Sequence, residues 1–121
     1  MTLGIDRGTI WLANLNPQKG TEPGKTRPVL ILQDQALLDA GHPSTIIIPL
    51  TTNLIDDAEP LRVRVNATEK LARDSDLQID QIRTIDNRCL TSGPIATLDP
   101  EQMKRVCNAI LEVIGITLSV S

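Results

Sequence analysis

Helical spacing holds over one stretch of this 121-residue chain, and that stretch lies near its C-terminal end. Asp99, Pro100 and Gln102 supply a helix-start signal: an N-cap, a proline at the first helical position and a glutamine at the third. Met103, Val106, Cys107, Ile110, Leu111 and Ile114 then recur as one apolar stripe, with Gly115 as the stop. Almost everything earlier comes in short β-branched runs broken by turn residues. The pattern predicts strands at 9–13, 28–33, 44–51, 61–65, 77–80 and 82–85, with a bend at Gln81. The runs at 28–33 and 44–51 are continuously apolar and therefore buried on both faces, and Pro49 marks a bulge or a strand end. The run at 61–65 alternates, Val63 and Val65 inward, Arg62 and Arg64 outward. Short helical turns are expected at 35–39 and 68–73. Five or six short strands before one helix predict a single domain over 1–121, a small curved sheet or partial barrel with the helix packed on it.

Composition removes several functions. The chain has no Phe, no Tyr and one Trp, so it cannot build the aromatic rows on which single strands stack. Its 12 Lys and Arg against 15 Asp and Glu give a net charge of −3, the wrong sign for a basic nucleic-acid wrapper. Any contact with nucleic acid must then come from a local patch. Two cysteines without a CxxC pair and a lone His42 support neither a metal site nor a disulfide framework. Cys107, on the apolar stripe, reads as a small buried hydrophobe. Trp11, between Ile10 and Leu12, reads as core, and His42 before Pro43 as a loop residue. The N-terminus lacks a signal-peptide pattern, and no apolar run approaches the ~20 residues of a membrane span, so a cytoplasmic protein without membrane contact is expected.

One polar cluster stands out. Residues 17–25 hold two prolines, two glycines and no apolar side chain, and they bring Lys19, Glu22 and Lys25 to the mouth of the strand that carries Arg27. Such a loop can cradle phosphate, although the spacing is not that of a P-loop; by itself it also reads as a solvated surface loop.

Gly8-Thr9-Ile10-Trp11-Leu12, then Leu15, Pro17, Gly20, Glu22 and Arg27-Pro28-Val29-Leu30, closely resemble the opening of the MazF/PemK/Kid toxins of bacterial toxin–antitoxin pairs. The match resumes at Pro49-Leu50-Thr51-Thr52 and at Asp80-Gln81-Ile82-Arg83-Thr84-Ile85-Asp86, and the acid-capped helix sits where that family has one. The resemblance implies an SH3-like small β-barrel with a C-terminal helix, a homodimer and a metal-independent endoribonuclease acting on single-stranded mRNA without a cofactor. It also implies a cognate antitoxin as partner, with DNA reached only through that antitoxin. Carried over by position, the catalytic residues are Arg27 and Thr51, with Glu22 and Asp80 as the acidic pair. Lys19, Lys25, Thr52, Gln81 and Arg83 are the RNA-binding candidates. The Kid branch has a His in the loop and an Arg two positions before the Asp; Thr21 and Gln78 stand there, so that branch's acid–base assignment does not transfer.

These residue types suit the chemistry. RNA carries its own nucleophile, the 2′-OH beside the scissile phosphate, so the protein need only stabilise a phosphorane-like transition state and assist two proton transfers. The planar guanidinium of Arg27 matches phosphate oxygens, and the Thr51 hydroxyl adds a donor. Arginine stays protonated at neutral pH, so Arg27 is a clamp, and Glu22 or Asp80 accepts the proton. Each residue also has a plainer explanation. Arg27 reads as an ion pair to Glu22, Thr51 as a strand former with Thr52 its rival by one position, Asp80 as a turn residue, and Arg83 as a salt bridge. A non-enzymatic alternative is an SH3-like toxin that poisons gyrase by binding it.

Overall fold

The computed structural model describes residues 4–15 and 26–117. Seven strands form one sheet: β1 (Thr9–Asn14), β2 (Thr26–Ile31), β3 (Ser44–Thr51), β4 (Arg62–Val65), β5 (Ser75–Gln78), β6 (Arg83–Asp86) and β7 (Leu90–Thr97). Two helices accompany them, α1 (Gln35–Asp39) and α2 (Pro100–Val113). The sheet order is β4-β5-β3-β2-β1-β7, with β6 also on β3, and every pairing is antiparallel.

β3 organises the sheet. One of its edges pairs with β2; the other is shared, Ser44 to Ile47 going to β6 and Leu50 with Thr51 to β5. The chain between β5 and β6 makes a single 3₁₀ turn at Ile79–Gln81, where the bend was expected. Pro49 stands where β3 changes partner, inside the strand and not at its end. β4 and β7 lie at the two ends of the strand order, and no pairing joins them among the described residues, so the sheet is open.

Both faces of the central strands are buried over most of their length, as continuous apolar runs require, but Ile46 of β3 is exposed. Leu30, Ile48 and Leu50 join Ile10, Val63, Leu77 and Ile79 beneath Val106 and Ala109 of α2. Val29, Ile31 and Ile47 join Trp11, Ile85, Leu90 and Leu38 of α1 on the other face. Each such Ile or Leu contributes about 1.5–3 kcal/mol by leaving water.

The start of α2 follows its sequence signal. Asp99 accepts from the Gln102 N–H at 2.8 Å while the Gln102 side chain accepts from the Asp99 N–H at 2.9 Å. Its stripe is rotated from the expected one: Val106 and Ala109 are buried, Cys107 is half-buried against Arg7, and Ile114 is exposed. Ala109, too small to stand out by hydrophobicity, fits directly against the sheet. The helical turn at 35–39 is present. The one expected at 68–73 is not: a turn closed by the Thr68 N–H on the Leu71 carbonyl (2.8 Å) takes its place and buries Leu71.

β7 was not foreseen, because Thr91-Ser92-Gly93-Pro94 has turn composition. Gly93 explains why a strand can pass there: a Cβ on it would sit 2.5 Å from Trp11 Cδ2, so only glycine lets β7 lie across the indole. Trp11 is core, as expected, with Nε1–H donating to Thr9 Oγ1 at 3.2 Å.

Candidate functional site

The sequence candidates divide by position. Lys19, Glu22 and Lys25, with the rest of the polar loop, lie outside the described residues. Arg27 and Thr51 come together. β2 and β3 pair with Val29 opposite Pro49, Leu30 opposite Ile48 and Ile31 opposite Ile47. That register, continued two residues past its last paired rung, would set Arg27 level with Thr51. Both line one cleft of about 400 Å³, together with Thr52, Asn53, Ser75 and the apolar Pro28 and Leu50. Arg27 is half-buried and forms no ion pair with any carboxylate among the described residues. A guanidinium so placed is available to an anion entering the cleft.

Thr51 is the last residue of β3. Its Oγ1 accepts the N–H of Asn53 at 3.1 Å, which leaves the hydroxyl proton to donate elsewhere. Thr52, exposed, lines the same cleft. Asp80 and Gln81 are the exposed residues of the 3₁₀ turn and are not part of the cleft lining. Arg83 opens β6 and lines a separate cleft of about 470 Å³ with Asn14, Leu15 and Arg88.

A group the sequence did not single out sits beside Thr51. Asp76, its cross-strand partner on β5, is 1% exposed, the one buried carboxylate among the described residues. Arg64 Nε donates to its Oδ1 at 2.5 Å, the Ile55 N–H donates to its Oδ2 at 2.9 Å, and Arg62 Nη1 lies 3.6 Å from Oδ2. Burial pushes this carboxyl up, but the hydrogen bonds from Arg64 and Ile55 and the charges of Arg64 and Arg62 outweigh it. The net shift is below the ordinary carboxylate value. The same bonds, to Asp76 first and then to Asp56 at 2.8 Å, raise the Arg64 guanidinium further above its usual range. The alternation in 61–65 pointed to the outward face of Arg62 and Arg64; no periodicity marks a lone Asp between Ser75 and Leu77 as their buried partner.

Comparison with known proteins finds relatives over most of the chain. A family model described as the PemK-like, MazF-like toxin of type II toxin–antitoxin systems matches residues 6–114. Endoribonuclease EndoA of Bacillus subtilis is 36% identical over 110 residues, spanning 88% of this chain and 90% of that protein. Endoribonuclease MazF of Staphylococcus saprophyticus is 36% identical over 114 residues, 91% of each. Among solved structures, the Mycobacterium tuberculosis toxin MazF-mt6 matches with a TM-score of 0.74 at 24% identity, covering 91% of this chain and 99% of that one. A MazE-MazF structure from Deinococcus radiodurans matches with a TM-score of 0.75 at 22% identity, covering 93% and 97%. At these identities the structural likeness speaks for the fold.

Proposed function

The chain belongs to the PemK-like, MazF-like toxins of type II toxin–antitoxin systems and is an endoribonuclease; we propose that it cuts single-stranded mRNA through the substrate's own 2′-OH, with Arg27 and Thr51 at the scissile phosphate. The observation that supports this reading is the shared cleft, where a guanidinium with no carboxylate partner among the described residues lies beside a threonine whose hydroxyl oxygen accepts from Asn53 and whose proton can donate. Arg27 clamps the non-bridging oxygens as charge builds on the phosphorane, and Thr51 adds a second donor. A base takes the 2′-OH proton, the 2′-oxygen attacks phosphorus, and the 5′-oxygen leaves with a proton. The products are a 2′,3′-cyclic phosphate and a 5′-OH end, and no metal ion is required. Asp80 lies away from the cleft lining, so Glu22, five residues before Arg27 in the chain, is the better candidate for the base. Thr52 and Asn53 on the cleft wall, with Lys19 and Lys25, hold the flanking nucleotides; Gln81 and Arg83 contact RNA farther out. The open sheet is read as a partial SH3-like barrel, a reading supported by the split pairing of β3 with β5 and β6 on one edge.

Two partners belong to the same reading. An acidic antitoxin segment occupies the basic mouth at Lys19, Lys25 and Arg27, a local cationic cluster on a chain of net charge −3; DNA is met only through that antitoxin. A second copy of the chain packs on the helical end, where Ile114 and Ile116 are 56% and 48% exposed. Among the described residues no helix is long and apolar enough to cross a membrane.

Incubation with a long RNA in EDTA tests the reaction. Fragments bearing 2′,3′-cyclic phosphate and 5′-OH ends are expected. Intact RNA, or 3′-OH ends, would overturn it, and intact RNA would favour the gyrase-binding alternative.

A further inference from the structure

Where the chain leaves β3 after Thr51, polar tethers hold it. Asn53 is gripped at both of its backbone polar groups: its N–H donates to Thr51 Oγ1 at 3.1 Å, and its carbonyl accepts from Arg62 Nη1 at 3.0 Å. Two residues on, the Ile55 N–H donates to Asp76 at 2.9 Å. Arg62 is in turn drawn to Asp76 Oδ2, and Arg64 covers the other oxygen. Packing contributes little to this segment. Behind it opens a cleft of about 650 Å³ walled by Asp56, Arg62, Arg64 and Asp76, and both Leu54 and Ile55 are exposed. Its position is therefore set by Asp76 and the two arginines, with the Glu59–Arg105 ion pair fastening its far end to α2.

A buried carboxylate is an expensive way to hold a sheet together, since a well-packed apolar residue at the same place often gives equal or greater stability. What the charge supplies here is geometry. A hydroxyl has one proton and two lone pairs; with one lone pair taken by the Asn53 N–H, its proton must point away from that donor. Resting on the role given to Thr51 above, we propose that Asp76 and Arg62 are positioning residues for cleavage. Through Asn53 they fix the direction in which the Thr51 hydroxyl donates, and so align it on the phosphate before the transition state forms.

The test is a double-mutant cycle in single-turnover cleavage of a defined RNA, with RNA affinity and the melting temperature measured for each variant. Arg62→Gln is the principal variant because Arg64 still covers Asp76 and the protein keeps its fold; Asp76→Asn is the second. Arg62→Gln is expected to slow cleavage about tenfold, the effect of one lost orienting hydrogen bond, with RNA affinity changed less than about twofold. In a Thr51→Val background the same substitution should change the rate by less than about twofold, because no hydroxyl remains to be aimed. Arg62→Lys, which keeps a donor of the same charge, should restore part of the rate. A wild-type rate for Arg62→Gln would overturn the proposal, as would a tenfold loss that persists in the Thr51→Val background. If Thr51→Val itself cut at the wild-type rate, the role of Thr51 would fall and this proposal with it; a slow Thr51→Val beside a fast Arg62→Gln would overturn the proposal alone.

Discussion

Thr51 and Asp76 face each other across one rung of the β3–β5 pair, so the hydroxyl at the cleft and the buried carboxylate beside it share a single strand register. A slip of that register would move both at once. Arg27, two strands away from Asp76, stands opposite Ala13 in the β1–β2 pairing. The two proposed donors therefore respond to different substitutions.

Arg27→Ala should lower the single-turnover cleavage rate by ~10²–10³, about 3–4 kcal/mol, the usual effect of removing one pre-organised transition-state donor. RNA affinity should fall far less, because Lys19, Lys25 and other cations still attract phosphates. Circular dichroism and a binding titration run beside the kinetics separate the two effects. A near-wild-type rate would remove Arg27 from the mechanism.

Thr51→Val, nearly isosteric but without the donor, should give a smaller loss than Arg27→Ala at similar stability, whereas Thr52→Val should be mild. If the order of the two threonines were reversed, the hydroxyl that matters would be the one at 52. A 2′-deoxy nucleotide at the scissile position should block cleavage by every variant, since it removes the nucleophile itself.

Asp76 should make the fold acid-sensitive. Its carboxyl is held below the ordinary value in the folded chain, while an unfolded aspartate titrates near about 3.9. Its stabilising contribution is therefore complete above about pH 5 and is lost as the pH falls through roughly 4 toward the folded value. The urea midpoint of the wild type should drop more steeply between pH 5 and pH 3 than that of Asp76→Asn. At pH 7 the variant should be less stable by about 1–3 kcal/mol, because a charged acceptor for Arg64 is gone. Parallel pH profiles would show that the depressed carboxyl is not Asp76.

Gly93→Ala should destabilise the protein by about 1–3 kcal/mol through overpacking. The new Cβ would fall 2.5 Å and 2.6 Å from Trp11 Cδ2 and Cγ, in the middle of the indole and not at the end of a flexible side chain. As Trp11 is the sole tryptophan, intrinsic fluorescence reports directly on that contact during urea unfolding. An unchanged midpoint would mean that the indole shifts without cost.

The sequence made these strands legible where burial is written in composition. Ile47-Ile48-Pro49-Leu50 reads as a doubly covered stretch of strand and is one, although Ile46 just before it is exposed, and Asp99 to Gln102 reads as a helix start. It failed where one residue type serves two purposes. Gly93-Pro94 signals a turn in most chains, and here the glycine instead makes room for Trp11 inside a strand. The phase of α2 was misjudged because Ala109 carries little hydrophobic weight, yet its small size is what lets the helix approach the sheet. At the site, Arg27 and Thr51 stood out because the family resemblance marks those positions and phosphate chemistry suits those groups. Asp76 did not, since its importance comes from Arg62, Arg64 and Ile55, which are 14, 12 and 21 residues away in the chain and converge only after folding. Asp80, marked by its motif, stands exposed in the 3₁₀ turn between β5 and β6, a position that the sequence alone did not give.

The split edge of β3 bears on when such a protein becomes dangerous during its own synthesis. Thr51 is set in place by β5, which ends at Gln78, and the other half of the same edge waits for β6, which ends at Asp86. A ribosome that has delivered Arg27 and Thr51 has not yet delivered β5 and β6, which complete the other edge of β3, and pairings of that sequence separation form late. If Thr51 acts at the phosphate as proposed, the nascent chain should be unable to cut the message it is being read from until most of its length has emerged.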